Sequence, residues 1–458
     1  MMPQRTLIVA FAALVALSHS LSANEPLRVG TFDVDASPPI GSMMAYDPVK
    51  GIQTPLTCRG IVILGTEQPI VLCAVDWIEI ANAGHSVFRE KLADAAGTDP
   101  HHVAVHALHQ HDAPWCDFSA EELLVEHGLS GAGFDPNFAH DVIRRTAAAI
   151  KEAIAHAKPV THLGIGKGII EKVASNRRIL GPEGKVIHVR WTATTDPKVR
   201  DFPVGTIDPE VKLIAFYDGA DNQPIVVLTY YATHPQSYYH TGLANPDFPG
   251  LARNARQEET GVMHVHFDGA GGNIGAGKWN DGSPENRQVL ADRVAAGMKQ
   301  AWENIRKVPI SADDVAWNFE PVSLPVSKHM DESALANRVE NKDGTLGDRF
   351  IAAVKLTWMK RCQMGDTIDI GCLTLGDVRI LHMPGELFVE YQLAAQQLRP
   401  DLFVAMAAYG DCGPGYIGTE VAYGEGGYET SPGASNVAPA VESVLMNAVK
   451  KLLGEKEE

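Results

Sequence analysis

The chain of 458 residues carries a formal net charge of −17, an acidity that argues against nucleic acid and against anionic membrane surfaces as partners. Its 45% apolar and 21% charged residues are those of a globular protein with a large core, not of a disordered or fibrous chain. The length suits one large domain or roughly two to four smaller ones.

Residues 1–23 read as a secretory signal. Arg5 is the positive head, Leu7 to Leu17 the apolar stretch, and small residues lead to a cleavage site after Ala23. The apolar run is too short for a typical membrane span, and no cysteine follows it to take a lipid anchor. No later segment is apolar enough to cross a bilayer. The sequence holds no Asn-x-Ser/Thr sequon, which fits a bacterial exported protein, secreted or periplasmic. Nothing marks a boundary within residues 24–458, which are read as one domain.

Residues 27–34 alternate as a strand, and 58–65 and 69–76 are β-rich runs around Thr66-Glu67-Gln68. A helix is expected over 81–96, then a strand from Val103 towards His111, then a helix over 136–157. Strands follow at 187–193, 211–217 and 224–233, and a helix at 248–258 entered through Asp247-Phe248-Pro249. Residues 263–268 read as a strand that runs into a Gly-rich loop. A long helix is expected at 284–307, paired strands at 368–383, a helix from about Glu386, a strand at 402–408 and an amphipathic helix at 438–453. Residues 310–350 are polar and weakly periodic, like an insertion. Residues 412–434 form a long Pro/Gly-rich loop. Helices and strands intermix throughout, so the class is α/β (mixed α+β): a large single domain of mixed sheets flanked by helices. No internal repeat is visible. The six cysteines show neither a disulfide framework nor a CxxC zinc knuckle, and most read as buried thiols.

Polar groups recur where strands end, which is where α/β folds gather their sites. In Val103-Ala104-Val105-His106-Ala107-Leu108-His109-Gln110-His111 the alternation puts His109 and His111 on one face of the predicted strand. His234 ends the run 226–233, Glu386 follows Met383-Pro384-Gly385, and Tyr409 to Tyr416 form a Gly-rich loop. Two imidazoles and a carboxylate are a common zinc ligand set with a position open for water, whose pKa falls to about 7. Each residue taken alone has a structural reading. A histidine before proline is more often a core or loop residue, and a Glu after Pro-Gly suits the first turn of a helix. The segment Gly272 to Lys278 matches G-x-x-x-x-G-K but lacks the following Ser/Thr and helix of a nucleotide-binding loop. Its glycines read instead as letting backbone N–H groups approach an anion or substrate. There is no G-x-S-x-G elbow and no HExxH helix.

Together these motifs resemble the catalytic domain of the neutral/alkaline non-lysosomal ceramidase family, over nearly the whole of residues 24–458. In that family a strand ending His-x-His-(Ser/Asp) carries a zinc ligand and then an active-site histidine, matched by His109 and His111. The resemblance further implies His234, Glu386 of Pro-Gly-Glu, and Tyr416 of Gly-Tyr-x-x-Thr as zinc ligands, and Arg177 of Asn-Arg as an active-site arginine. A tyrosine beside Glu425-Gly426-Gly427 completes the set. Tyr423 and Tyr428 flank that motif, and Tyr423 is assigned. Two departures stand out. The resemblance extends over the family's catalytic domain and not over its C-terminal immunoglobulin-like domain, and the Gly-Asn/Asp-x-Ser-Pro segment reads Gly272-Asn273-Ile274-Gly275-Ala276, without the serine.

The resemblance therefore implies an exported zinc hydrolase acting on the amide bond of an N-acylated small molecule or lipid, with His111 as general base. Two alternatives stay open: a deacetylase or esterase using the same metal site, and a non-enzymatic exported binding protein with a degenerate one.

Overall fold

The computed structural model describes residues 26–454; the expected signal segment, residues 1–23, lies outside them. Among the described residues the three larger sheets, of five, five and four strands, are built in the same order. In the first, Arg28–Asp35 pairs antiparallel with Thr57–Leu64, which forms a hairpin with Ile70–Val75. The helix Asn82–Ala96 then carries the chain over to Val103–Ala107, which returns parallel to Ile70–Val75, and the helix Pro136–Ala155 closes the unit. The second unit repeats this with His162–Ile169, the hairpin Glu210–Tyr217 and Pro224–Tyr231, the helix Asp247–Thr260, the parallel strand Met263–Asp268 and the helix Pro284–Glu303. The third uses Val315–Val322, Ile368–Leu375, Val378–His382, the helix Val389–Leu398, Phe403–Ala407 and the helix Val441–Leu453. A repeat that the sequence does not display is thus present in the topology.

Alternation along the strands sets the layers. Ile61 and Ile63 of the first sheet meet Ile214 and Phe216 of the second and Leu373 and Leu375 of the third in one central core. The residues between them face outward under helices: Cys58 and Val62 with Phe88 and Ile150, and Leu213 and Ala215 with Leu290 and Val294. Strands buried on both faces read as continuous apolar runs, which is why the inner hairpins were legible in the sequence. The mixed α/β class is the one expected. All six cysteines are free. Among the described residues no helix is long and apolar enough to cross a membrane.

Several expectations are corrected. The strand His162–Ile169 was not anticipated because Gly164, Gly166 and Gly168 dilute its pattern. A Cβ at Gly166 would meet the Ala301 carbonyl at 2.1 Å and one at Gly168 the Gly297 carbonyl at 2.1 Å, so these glycines let Pro284–Glu303 lie directly on the strand. That helix stops at Glu303 rather than 307, and Arg306–Pro309 adds an edge strand. Residues 310–350 are not an insertion: Val315–Val322 founds the third sheet, and Leu346–Met364 is a largely buried helix. Glu386 begins a two-residue strand, not a helix, which starts only at Val389.

Each unit ends its hairpin arm and its parallel strand side by side, at the pairs Val75/Ala107, Tyr231/Asp268 and His382/Ala407. The three ends converge. The Ala107 N–H donates to the Tyr409 carbonyl (2.9 Å), and the Ala408 N–H to the Asp268 carbonyl (2.9 Å). The polar residues past these ends are thereby delivered to one place.

Candidate metal centre

The strand carrying the histidines ends at Ala107, earlier than the sequence alternation implied, so His109 and His111 do not share a strand face. The backbone turns instead. The Leu108 N–H donates to the Val75 carbonyl (2.7 Å), the His109 N–H to the Trp77 carbonyl (2.9 Å), and His109 sits at φ 65°. That left-handed conformation is uncommon for a residue with a side chain, and it brings the rings of His109 and His111 to 5.3 Å, edge to face. His109 Nδ1 lies 2.8 Å from the Ile78 carbonyl, which can only accept, so Nδ1 holds the proton and Nε2 presents its lone pair.

Nε2 of His109 points at Glu386 Oε2, 3.1 Å away. Glu386 and Tyr416 are register partners in a short parallel pair, Glu386–Leu387 with Tyr416–Ile417, which sets the carboxylate beside the phenol. His234 closes the group, with Nδ1 3.8 Å from Glu386 Oε2 and its ring 4.7 Å from that of His109. The structure thus brings His109, His234, Glu386 and Tyr416 together.

The Gly-rich loop after Met263–Asp268 is the scaffold for these residues rather than an anion cradle. The His234 N–H donates to the Ile274 carbonyl (3.2 Å), Gly272 N–H to Leu387 (2.8 Å) and Arg177 N–H to Asn273 (2.8 Å). A Cβ at Gly272 would stand 2.2 Å from the Glu386 carbonyl, so only glycine allows this approach. No helix follows until Pro284, which excludes a nucleotide-binding loop.

His109 Nε2, His234 Nδ1 and Glu386 Oε2 are buried and have no hydrogen-bond partner. Unpaired buried polar atoms are costly, and here three of them face one point. The donor set, two imidazoles with a carboxylate and a phenol, fits a zinc-type divalent cation, which would give all three atoms a partner. His109, His111 and His234 also each place a ring nitrogen within 4.8 Å of the other two, so a three-imidazole set is open as well.

The remaining residues surround this group. His111 Nε2 faces His234 Nε2 at 3.1 Å, while its Nδ1 lies 2.9 Å from the Tyr46 hydroxyl. Burial first, then the charges of His109, Arg177 and His240, holds the His111 imidazole well below its usual range, so it is neutral at neutral pH. Arg177 Nη1 donates to the Tyr416 hydroxyl (3.2 Å) and its Nε lies 3.3 Å from Glu429. Burial opposes the charge on Arg177, but Tyr416 and Glu429 keep it firmly cationic.

Tyr423 is elsewhere. It lies on the helix Glu420–Glu425 with its hydroxyl 2.9 Å from Ser435 Oγ, and it does not line the cavity over the cluster. Tyr428 does, its ring 5.6 Å from that of Tyr416 and its phenol pushed up to about 12 by burial and then by Glu386. The cavity, of about 360 Å³, has a polar floor of Glu79, His109, His111, Glu386 and Tyr416, and apolar walls including Ile78, Trp115, Ile351 and Val354. It is of small-molecule size. Glu79 belongs to no motif in the sequence, although it too lies just past a strand end.

Fold and site together define a mixed α/β protein with a buried imidazole–carboxylate centre beyond the ends of its strands. No protein-family model matches the chain, and no curated protein matches it. Among solved structures it superposes on a ceramidase complexed with C2, with a TM-score of 0.68 and 17% identity over 93% of this chain and 75% of that one. It also superposes on the crystal structure of neutral ceramidase from Pseudomonas aeruginosa, with a TM-score of 0.67 and 18% identity over 94% of this chain and 74% of that one. The chain therefore has the neutral ceramidase fold.

Proposed function

We propose that the protein is an exported zinc-dependent hydrolase that cleaves the amide bond of an N-acylated small molecule or lipid. The observation that carries this reading is the convergence of unpaired donors on His109, His234 and Glu386, with His111 beside them, at the floor of a cavity in a ceramidase fold. His109, His234, Glu386 and Tyr416 would hold the ion. Zinc, when bound, supplies a Lewis acid that polarises a carbonyl and makes a water acidic near neutral pH.

The chain's own residues do the rest. His111 is neutral and turns Nε2 towards the cluster; its Nδ1 meets the Tyr46 hydroxyl (2.9 Å) and the Gln236 amide N–H (3.1 Å), and to act through Nε2 the ring takes the tautomer whose Nδ1 proton goes to Tyr46 in place of the bond from Gln236. Nε2 takes the proton of the water that adds to the acyl carbon, and returns it to the nitrogen as the C–N bond breaks. Tyr428 on the cavity wall stabilises the negative charge that develops on the acyl oxygen, and Arg177, which does not line the cavity, acts through the Tyr416 phenol that its Nη1 holds. Tyr428 takes the part that the sequence had given to Tyr423. The apolar walls receive the acyl group. The reading of Met1 to Ala23 as a secretory signal supports export from a bacterial cytoplasm.

A screen of N-acyl amides of graded chain length, acetylated sugars and esters tests this reading. Hydrolysis of N-acyl amides supports it. Turnover restricted to acetylated sugars or esters assigns the same centre to a deacetylase or esterase, and turnover of none of them assigns it to a binding protein. On the best substrate, Tyr428→Phe lowers kcat by about 10²-fold, as loss of an oxyanion donor does, whereas Tyr423→Phe leaves it within about twofold. The reverse order of the two variants would return the role to Tyr423.

A further inference from the structure

We propose that Glu79 is a further ligand of the ion held by His109, His234, Glu386 and Tyr416, making the centre five-donor and rich in oxygen. The inference rests on the metal centre of the proposed function and extends it to a residue that the motifs did not single out.

A carboxylate oxygen of Glu79, a ring nitrogen of His109 and a carboxylate oxygen of Glu386 lie within 4.8 Å of one another. Metal–oxygen and metal–nitrogen bonds of about 2.0–2.2 Å put two ligands on opposite sides of one ion about 4.0–4.4 Å apart. All three atoms therefore fit a single coordination sphere after shifts of a few tenths of an ångström.

The partners of Glu79 point the same way. Among the described residues its side chain makes no hydrogen bond and no ion pair. The charges around it are the carboxylates of Glu386 and Asp117 and the ammonium of Lys355, and the Lys355 Nζ is already donated to the carbonyls of Pro432 (3.0 Å) and Gly433 (2.8 Å). Two carboxylates facing each other without a cation between them repel. Beside them stand the buried, unpaired His109 Nε2 and Glu386 Oε2, aimed into the same space.

The topology supplies an independent argument. Glu79, His234 and Glu386 occupy the same place in the three units, the third or fourth residue past the hairpin arm. Their local backbones match as well. Glu79 pairs in parallel register with Trp115, as Glu386 pairs with Tyr416, and His234 bonds across to Ile274. The segment past the hairpin arm of each unit thus delivers one donor, and His109 and Tyr416 add to these three.

The test is zinc binding, not turnover. Full-length protein stripped of metal is titrated with Zn²⁺ against a chromophoric chelator, as wild type, Glu79→Gln and Glu79→Asp. We expect one equivalent for wild type, an affinity at least tenfold weaker for Glu79→Gln, and partial recovery for Glu79→Asp. The visible bands of the cobalt-substituted protein should intensify in Glu79→Gln as the coordination number falls from five to four. Wild-type affinity and an unchanged cobalt spectrum in Glu79→Gln would overturn the role of Glu79 and leave the four-ligand centre standing. Wild type that binds no zinc would overturn the centre and this ligand with it. Should Glu79→Gln fail to fold, Glu79→Asp decides: weakened binding supports the proposal, and unchanged binding removes it.

Discussion

Replacing His109 by alanine is expected to remove the bound ion and the hydrolytic activity together. The side chain is fixed from three directions. Its backbone is held at φ 65° by the Trp77 carbonyl, its Nδ1 proton is committed to the Ile78 carbonyl, and its ring stacks on Tyr409 with centroids 4.6 Å apart. Every degree of freedom is thus spent on aiming Nε2 at the point that Glu386 faces. Outer-shell partners of metal ligands contribute roughly 10- to 100-fold in affinity, and loss of a ligand that is itself so constrained should cost more. Metal content after gel filtration and turnover of an N-acyl amide fall to background in this variant. Circular dichroism should show the fold retained, because the central apolar core lies away from the site. A His109→Ala protein with full metal content would remove this residue from the centre.

His111→Ala is expected to separate the two functions. Turnover drops by about 10²- to 10⁴-fold, the usual contribution of a positioned general base, while the metal content stays at that of wild type. The distinction matters because His111 also lies within ligand distance of His109 and His234. If His111→Ala loses the metal, the centre is a three-imidazole site and the proton must be handled elsewhere. If it keeps both metal and turnover, His111 is only a neighbour. A neutral imidazole suits a ligand as well as a base, so the metal content of this variant decides between the two roles.

The two variants also show what the sequence carried and what it did not. His109 and His111 stood out as a pair, but the reason given for their meeting, a shared strand face, fails because the strand stops at Ala107 and the chain turns through a left-handed residue. A positive φ at a histidine has no signature in a single sequence. Glu386 and Tyr416 were named by motif, yet their side-by-side placement depends on a two-residue parallel pairing between segments far apart in the chain. Tyr423 and Tyr428 flank the same glycines and are indistinguishable by spacing. The helix Glu420–Glu425 fixes Tyr423 against Ser435, and Gly426 and Gly427, at φ 78° and 96°, carry the chain on to Tyr428 at the cavity. Glu79 was within reach, since it follows an apolar strand by the same interval as Glu386, and the rule that sites lie past strand ends applies to it equally.

The inner hairpins were legible because both of their faces are buried and their apolar runs are unbroken. His162–Ile169 and Val315–Val322 were not: glycines thin the first, and Asn318, Glu320 and Pro321 interrupt the second. Without those two strands the threefold order of the units stays hidden. That order explains why residues as distant as Glu79 and Glu386 share one site.

The most direct test of the account is to measure metal and turnover on the same preparation. The protein is purified without added metal, analysed for bound zinc, assayed on an N-acyl amide, stripped with a chelator and then reloaded. One equivalent of bound divalent cation is expected, with loss of amide hydrolysis on stripping and its return on reloading. Undiminished hydrolysis after complete removal of the metal would contradict this.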